Sequence, residues 1–124
     1  VIEDEPLLER STRLGKKAAA FFAQEKQQFK FIDDVRMYGL DGGIDIVDPE
    51  TGQPDPDATT KIIYRAFELG VIMISLKTNV LRFKPPLVIT DEQLQSAFDF
   101  LHQTFSELAA GKLSLPDNAD EIGW

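Results

Sequence analysis

The stretch NVLRFKPPLVITDEQL, residues 79–94, carries the reading of the fold. Side chains of a strand alternate between its faces, so Leu81 and Phe83 point one way while Val80, Arg82 and Lys84 point the other. Pro85 and Pro86 end the strand, because proline has no N–H to give to a sheet ladder. Thr90 and Gln93 then stand at the spacing of a capping box and open a helix. Its apolar stripe is Leu94, Ala97, Phe98, Leu101, Phe105 and Leu108, and Gly111 ends it. Helices need an apolar sheet face to cover, and Leu81 with Phe83 supplies one. Arg82 is therefore predicted to face away from the core. Two roles are open to it there. It can be an edge arginine in a surface ion pair, worth ~0–1 kcal/mol. It can also be a planar guanidinium held out to bind a carboxylate through two parallel hydrogen bonds.

Upstream, VIMIS (residues 71–75) is a continuous apolar run, which predicts a strand covered on both faces. The link through Leu76, Lys77 and Thr78 is so short that this strand and the next must be antiparallel neighbours. Before it, Asp55 and Pro56 read as a helix N-cap with proline at the first helical position. That helix runs to about Leu69, with Ile62, Ile63, Ala66 and Phe67 inward and Gly70 as the stop. VRMYGLDGGIDIV (residues 35–47) alternates at Ile44 and Ile46 as a half-buried strand does. Gly39, Gly42 and Gly43 mark a bulge or a close approach of backbones. KFIDDV, ahead of it, is a short extended piece, and DPETGQPDPDA is a turn-rich loop. The first helix is expected over residues 6–28. Pro6 opens it behind Glu3, Asp4 and Glu5, and Leu7, Leu14, Ala18, Phe21 and Phe22 form its stripe. Lys16, Lys17 and Lys26 face water.

The predicted order is α, β, α, β, β, α. It describes an α+β fold: a small, mainly antiparallel sheet backed by helices on one face. The domain is expected over residues 1–111, with 112–124 as a polar tail lacking regular structure.

Composition narrows the function. The chain has 124 residues, 13 basic against 21 acidic, for a net charge of −8. That balance disfavours nucleic acid and anionic membranes as partners, and no apolar run is long enough for a membrane span. Cysteine is absent, which excludes disulfides and thiolate metal sites and fits a reducing, cytoplasmic setting. The start, VIEDEPLLER, is acidic and lacks the apolar region of an export signal. Because the sequence begins without Met at a helix approach, it is expected to be a fragment or a processed piece. Asp33, Asp34, Asp41, Asp45 and Asp48 do not match a calcium-loop pattern, and no metal site is expected. His102 lies one step off the last helix's stripe and reads as a boundary residue. No phosphate loop and no nucleophile with a paired base are evident.

Three stretches together resemble class III aminotransferases. VRMYGLDGGIDIV is similar to their VRG-x-GL-x-x-GIEL segment. The loop DPETGQPDPDA, a helix and GVIMIS resemble the segment that follows. NVLRFKPPLVITDEQL resembles their C-terminal signature, N-V-[LI]-R-x-x-PPL-x-[IL]-T-x-E-x-[LI]. Met37 departs from the glycine of VRG, and Asp45 replaces the glutamate of GIEL. The resemblance implies the C-terminal small domain of a fold type I enzyme dependent on pyridoxal 5'-phosphate. Such an enzyme moves an amino group between an ω-amino acid or related amine and a keto acid. It further implies a large cofactor-binding domain in the same polypeptide, a homodimer, and Arg82 as a residue that binds a substrate carboxylate. The lysine that anchors the cofactor belongs to the large domain in that family, so no catalytic, cofactor-binding or metal-binding residue is assigned here, and the chain alone is expected to be inactive. Amino-acid racemases share the scaffold and remain an alternative, as does a stand-alone binding domain without catalysis.

Overall fold

The computed structural model describes residues 7–76, 79–85 and 89–115. Its elements are helix α1 (Leu7–Gln28), strands β1 (Ile32–Tyr38) and β2 (Asp41–Ile46), helix α2 (Pro56–Glu68), strands β3 (Ile74–Leu76) and β4 (Val80–Phe83), and helix α3 (Asp91–Ala109). The strands form an antiparallel sheet of order β1-β2-β4-β3. Buried side chains of one sheet face (Ile44, Ile46, Leu81, Phe83) join those of all three helices in one cluster. The architecture is the expected one, an antiparallel sheet with helices on one face.

One strand more is present than the chain pattern predicts. Residues 35–47, read as one strand, are the two arms of a hairpin. Tyr38 pairs with Asp41 across a two-residue turn, and Gly39 at its first central position has φ 59°. A hairpin turn of this length needs a positive φ there, which glycine adopts without steric cost. Gly39 is also a close approach: a Cβ built on Gly15 of α1 would lie 2.1 Å from the Gly39 carbonyl oxygen. The bulge lies elsewhere, in β1, where the register slips between Ile32 and Val35.

Two burial expectations are corrected. The run 71–75 is not covered on both faces. Val71 and Met73 are buried, but Ile72 is 77% exposed and Ile74 43%. Only the end of the run is strand: β3, at the sheet edge, turns Ile74 outward beside Arg82, while Ile72 precedes it and lines a concavity with residues of α3. Phe67 is 63% exposed rather than inward. It falls on the outer flank of the row made by Ile62, Ile63 and Ala66, beside a concavity lined by Tyr64, Glu68 and Leu113.

The helix signals hold. Asp55 caps α2, accepting from the Ala58 N–H at 3.0 Å, with Pro56 in the first turn. Thr90 and Gln93 form both arms of a capping box on α3. Lys16, Lys17 and Lys26 are exposed. The expectations for Glu3, Asp4, Glu5, Pro6, Lys77, Thr78 and Pro86 lie outside the described residues. Among those described, no helix is long and apolar enough to cross a membrane.

Polar contacts tie the helices together. Buried Arg10 of α1 donates to the Ile89 carbonyl ahead of α3. Arg13 donates to both oxygens of Asp91 at 3.0 and 3.1 Å. Arg65 of α2 donates to Glu107 of α3 at 2.6 Å. Hydrogen bonds from Arg13 and Arg65 hold the Asp91 and Glu107 carboxyls below the usual carboxylate range. A group depressed in this way stabilises the fold above its unfolded-state value and loses that contribution as pH falls through the folded value. The urea midpoint should therefore stay level near neutrality. It should fall as pH drops below the ordinary values of 4.5 for Glu and 3.8 for Asp. A midpoint that rose on acidification would refute this assignment.

Candidate functional site

Alternation leaves the outward sheet face to a different set of residues. One cross-strand row runs Arg36, Gly43, Arg82 and Ile74, from β1 through β2 and β4 to β3. Leu81 and Phe83 are 0% and 3% exposed, while the Arg82 side chain is 33% exposed. Arg82 thus faces away from the core, as strand parity predicts.

The row is a charge lattice. Arg36 donates from Nη2 and Nη1 to the two oxygens of Asp45 at 2.9 and 3.1 Å. Its Nη1 also donates to Asp34 at 2.8 Å. The hydrogen bonds to Asp45 and then Asp34 raise the Arg36 pKa well above its ordinary value, and Arg36 in turn holds the Asp34 carboxyl below the usual range. A Cβ on Gly43 would stand 3.1 Å from Nη2 of Arg36. The bare backbone at Gly43 therefore lets the guanidinium lie across β2 towards Asp45. Arg82 is held separately: Nη2 donates to Asp41 Oδ2 at 3.1 Å, and Nε to Oδ1 at 3.4 Å.

Of the five aspartates singled out in the sequence, Asp34, Asp41 and Asp45 serve these arginines. Asp48 accepts from the Glu50 N–H at 2.8 Å in the following turn, and Asp33 is exposed. Among the described residues, no cluster of His, Cys, Asp or Glu could hold a metal ion. His102 lies at the core boundary, its Nδ1 2.8 Å from an oxygen of Glu25, which is 4% exposed. Sequence reasoning missed Arg36, Asp45 and Asp41 as a set. Their pairings depend on the hairpin, and its signal was glycine at the first position of a two-residue turn.

The described residues do not form a cofactor cradle. Arg82 stands on an open sheet face. One surface concavity lies between α2 and α3, and another runs from Gly70 and Ile72 to Phe100; neither is lined by Arg82. The outward carboxylates of Asp34, Asp41 and Asp45 would repel a phosphate.

Comparison with known proteins gives a consistent result. The profile of the family described as aminotransferase class-III matches residues 1–105. An isoleucine 2-epimerase of Lentilactobacillus buchneri is 47% identical over 100% of this chain, which covers 28% of that protein. A 5-aminovalerate aminotransferase of Pseudomonas aeruginosa is 38% identical over 88% of this chain, covering 26% of it. The crystal structure of an acetylornithine aminotransferase from Elizabethkingia anophelis superposes with a TM-score of 0.72 at 30% identity, over 86% of this chain and 27% of that one. The chain spans about a quarter of the length of the relatives it matches.

Proposed function

The chain belongs to the class III aminotransferase family, and on that premise we propose that it is the C-terminal small domain of an enzyme dependent on pyridoxal 5'-phosphate, in which Arg82 holds the carboxylate of an amino-acid substrate. The observation that carries this is the outward, partly exposed guanidinium of Arg82 at the end of β4, within the family's N-V-L-R stretch. The domain proper is residues 1–111 and 112–124 its polar tail.

In the bound state the cofactor supplies an electron sink for the bonds at the amino-bearing carbon. Its binding site and anchoring lysine belong, in this proposal, to a large domain in the remaining three quarters of the polypeptide. Exposed Ile74, on the outward side of the sheet, and exposed Ile72, just ahead of β3, support a domain that leans on more protein rather than a stand-alone binding module. A homodimer of the full-length enzyme and a cytoplasmic setting complete the proposal. What this chain contributes is position. A two-pronged guanidinium fixes the carboxylate, and with it the angle at which the amino-bearing carbon meets the chemistry.

The 47% identity to the isoleucine 2-epimerase over the whole chain supports inversion at the α-carbon of an amino acid as the reaction. A second assignment, amino transfer between an ω-amino acid or related amine and a keto acid, is supported by the 38% identity to the 5-aminovalerate aminotransferase. Replacing Arg82 with Ala in the full-length enzyme should raise KM for the carboxylate substrate about 10- to 100-fold, from the ~1.5–3 kcal/mol of a hydrogen bond to a charged group. An unchanged KM removes the clamp. Chiral analysis of L-isoleucine incubated with the wild-type enzyme and no keto acid separates the two reactions: only an epimerase yields the inverted product.

A further inference from the structure

We propose that Asp41 is the positioning residue for Arg82, occupying the Nε–Nη2 edge of its guanidinium so that the opposite edge is aimed at a substrate carboxylate. This rests on the clamp reading of Arg82 given above.

A guanidinium has two edges that can each meet a carboxylate with parallel hydrogen bonds. In Arg82 the side-on edge is engaged by Asp41, through Nη2 at 3.1 Å and Nε at 3.4 Å. The end-on edge, Nη1 with the second Nη2 proton, points away from Asp41. The carboxylate that engages it is itself anchored, because Asp41 begins β2 and pairs with Tyr38 across the hairpin turn. Gly43, the outward residue paired with Arg82, places no side chain between Asp41 and Arg82. Asp45, the other outward carboxylate of β2, is already bound to Arg36 by two hydrogen bonds. Each arginine of the row therefore has its own carboxylate.

Without Asp41, Arg82 is a long side chain on an open face. It would have to give up its rotamer freedom each time a substrate bound. A side chain already held loses less, and binding gains accordingly. The Asp41 charge also repels a substrate carboxylate. Both groups are about a third or more exposed (33% and 42%), so water and salt screen that repulsion, and prior orientation dominates.

The test uses the full-length enzyme in four forms besides wild type: Asp41→Ala, Asp41→Glu, Arg82→Ala and the double variant Asp41→Ala/Arg82→Ala. Each is assayed for KM and kcat with its amino acid, and for the Kd of isovalerate, a carboxylate without an amino group, by calorimetry. Asp41→Ala should raise KM and the isovalerate Kd by about 3- to 10-fold with kcat nearly unchanged, the loss expected when one long side chain must be ordered on binding. Asp41→Glu should recover part of that loss. In the Arg82→Ala background, Asp41→Ala should add nothing. If Arg82→Ala raises both constants but Asp41→Ala raises neither, or lowers the isovalerate Kd, Asp41 is not a positioning residue and the clamp stands. An Asp41→Ala effect that persists without Arg82 overturns the inference equally. If Arg82→Ala itself changes neither constant, the clamp and this inference fall together.

Discussion

Phe22→Ala should destabilise this chain by about 3–5 kcal/mol, the range for a fully buried aromatic cut to a methyl. Phe22 is 0% exposed. It sits edge-on to Phe21 of the same helix at 5.0 Å and to Phe83 of β4 at 5.2 Å. One ring thus joins α1 to the strand that carries Arg82. Removing it leaves a hole that rigid neighbours fill only in part, because the lining belongs to helix and sheet backbones tied elsewhere. The measurement is the urea midpoint and slope, with Phe67→Ala as the control. Phe67 is 63% exposed, and its truncation should move the midpoint little. Equal losses at the two positions would mean that the core is not where the structure puts it.

Gly15→Ala carries the second large effect, and helix propensity alone predicts the opposite sign. In a free helix, alanine in place of glycine gains about 1 kcal/mol. Here the added Cβ would come within 2.1 Å of the Gly39 carbonyl oxygen, 2.5 Å of its carbonyl carbon and 2.9 Å of its Cα. All three are backbone atoms of a tight turn, so nothing flexible is available to move aside. Either α1 lifts off the hairpin or the hairpin distorts, at about 3 kcal/mol, the upper part of the overpacking range. Gly43→Ala should cost less, because its new methyl meets the far end of the Arg36 side chain at 3.1 Å. If Gly15→Ala stabilises the chain, the contact between α1 and the hairpin is absent in solution.

The legible parts of this protein were those in which one local rule fixes the answer. Strand parity at residues 79–84 separated Leu81 and Phe83 from Arg82, and the faces came out that way. Asp55, Thr90 and Gln93 declared two helix starts, because the unpaired N–H groups of a first turn need an acceptor from the side chain just before them. The hairpin at Gly39 was missed for a physical reason as well. A two-residue turn flips the parity of the alternation, since Tyr38 and Asp41 pair on one face three residues apart, but the glycines at 39, 42 and 43 carry no side chains that would display the flip.

Ion pairs were the least legible feature. Arg82 with Asp41, Arg36 with Asp45, Arg65 with Glu107 and Glu25 with His102 join residues that are distant in the chain or separated by a turn. Their partners depend on register and on helix placement. A charge pattern along the sequence contains neither.

The sequence by itself determined the class of the fold, the starts of α2 and α3, the inward side of β4 and the outward direction of Arg82. These follow from periodicities of two and 3.6 residues and from capping, all of which act over a few residues. Only the tertiary structure decided that β3 is an edge with Ile74 bare on its outward side, that Ile72 is exposed just ahead of it, and that Phe67 lies outside the core. It also decided that Arg82 meets Asp41. Each of these depends on which surface comes to lie against which, and that is settled by the whole core closing at once.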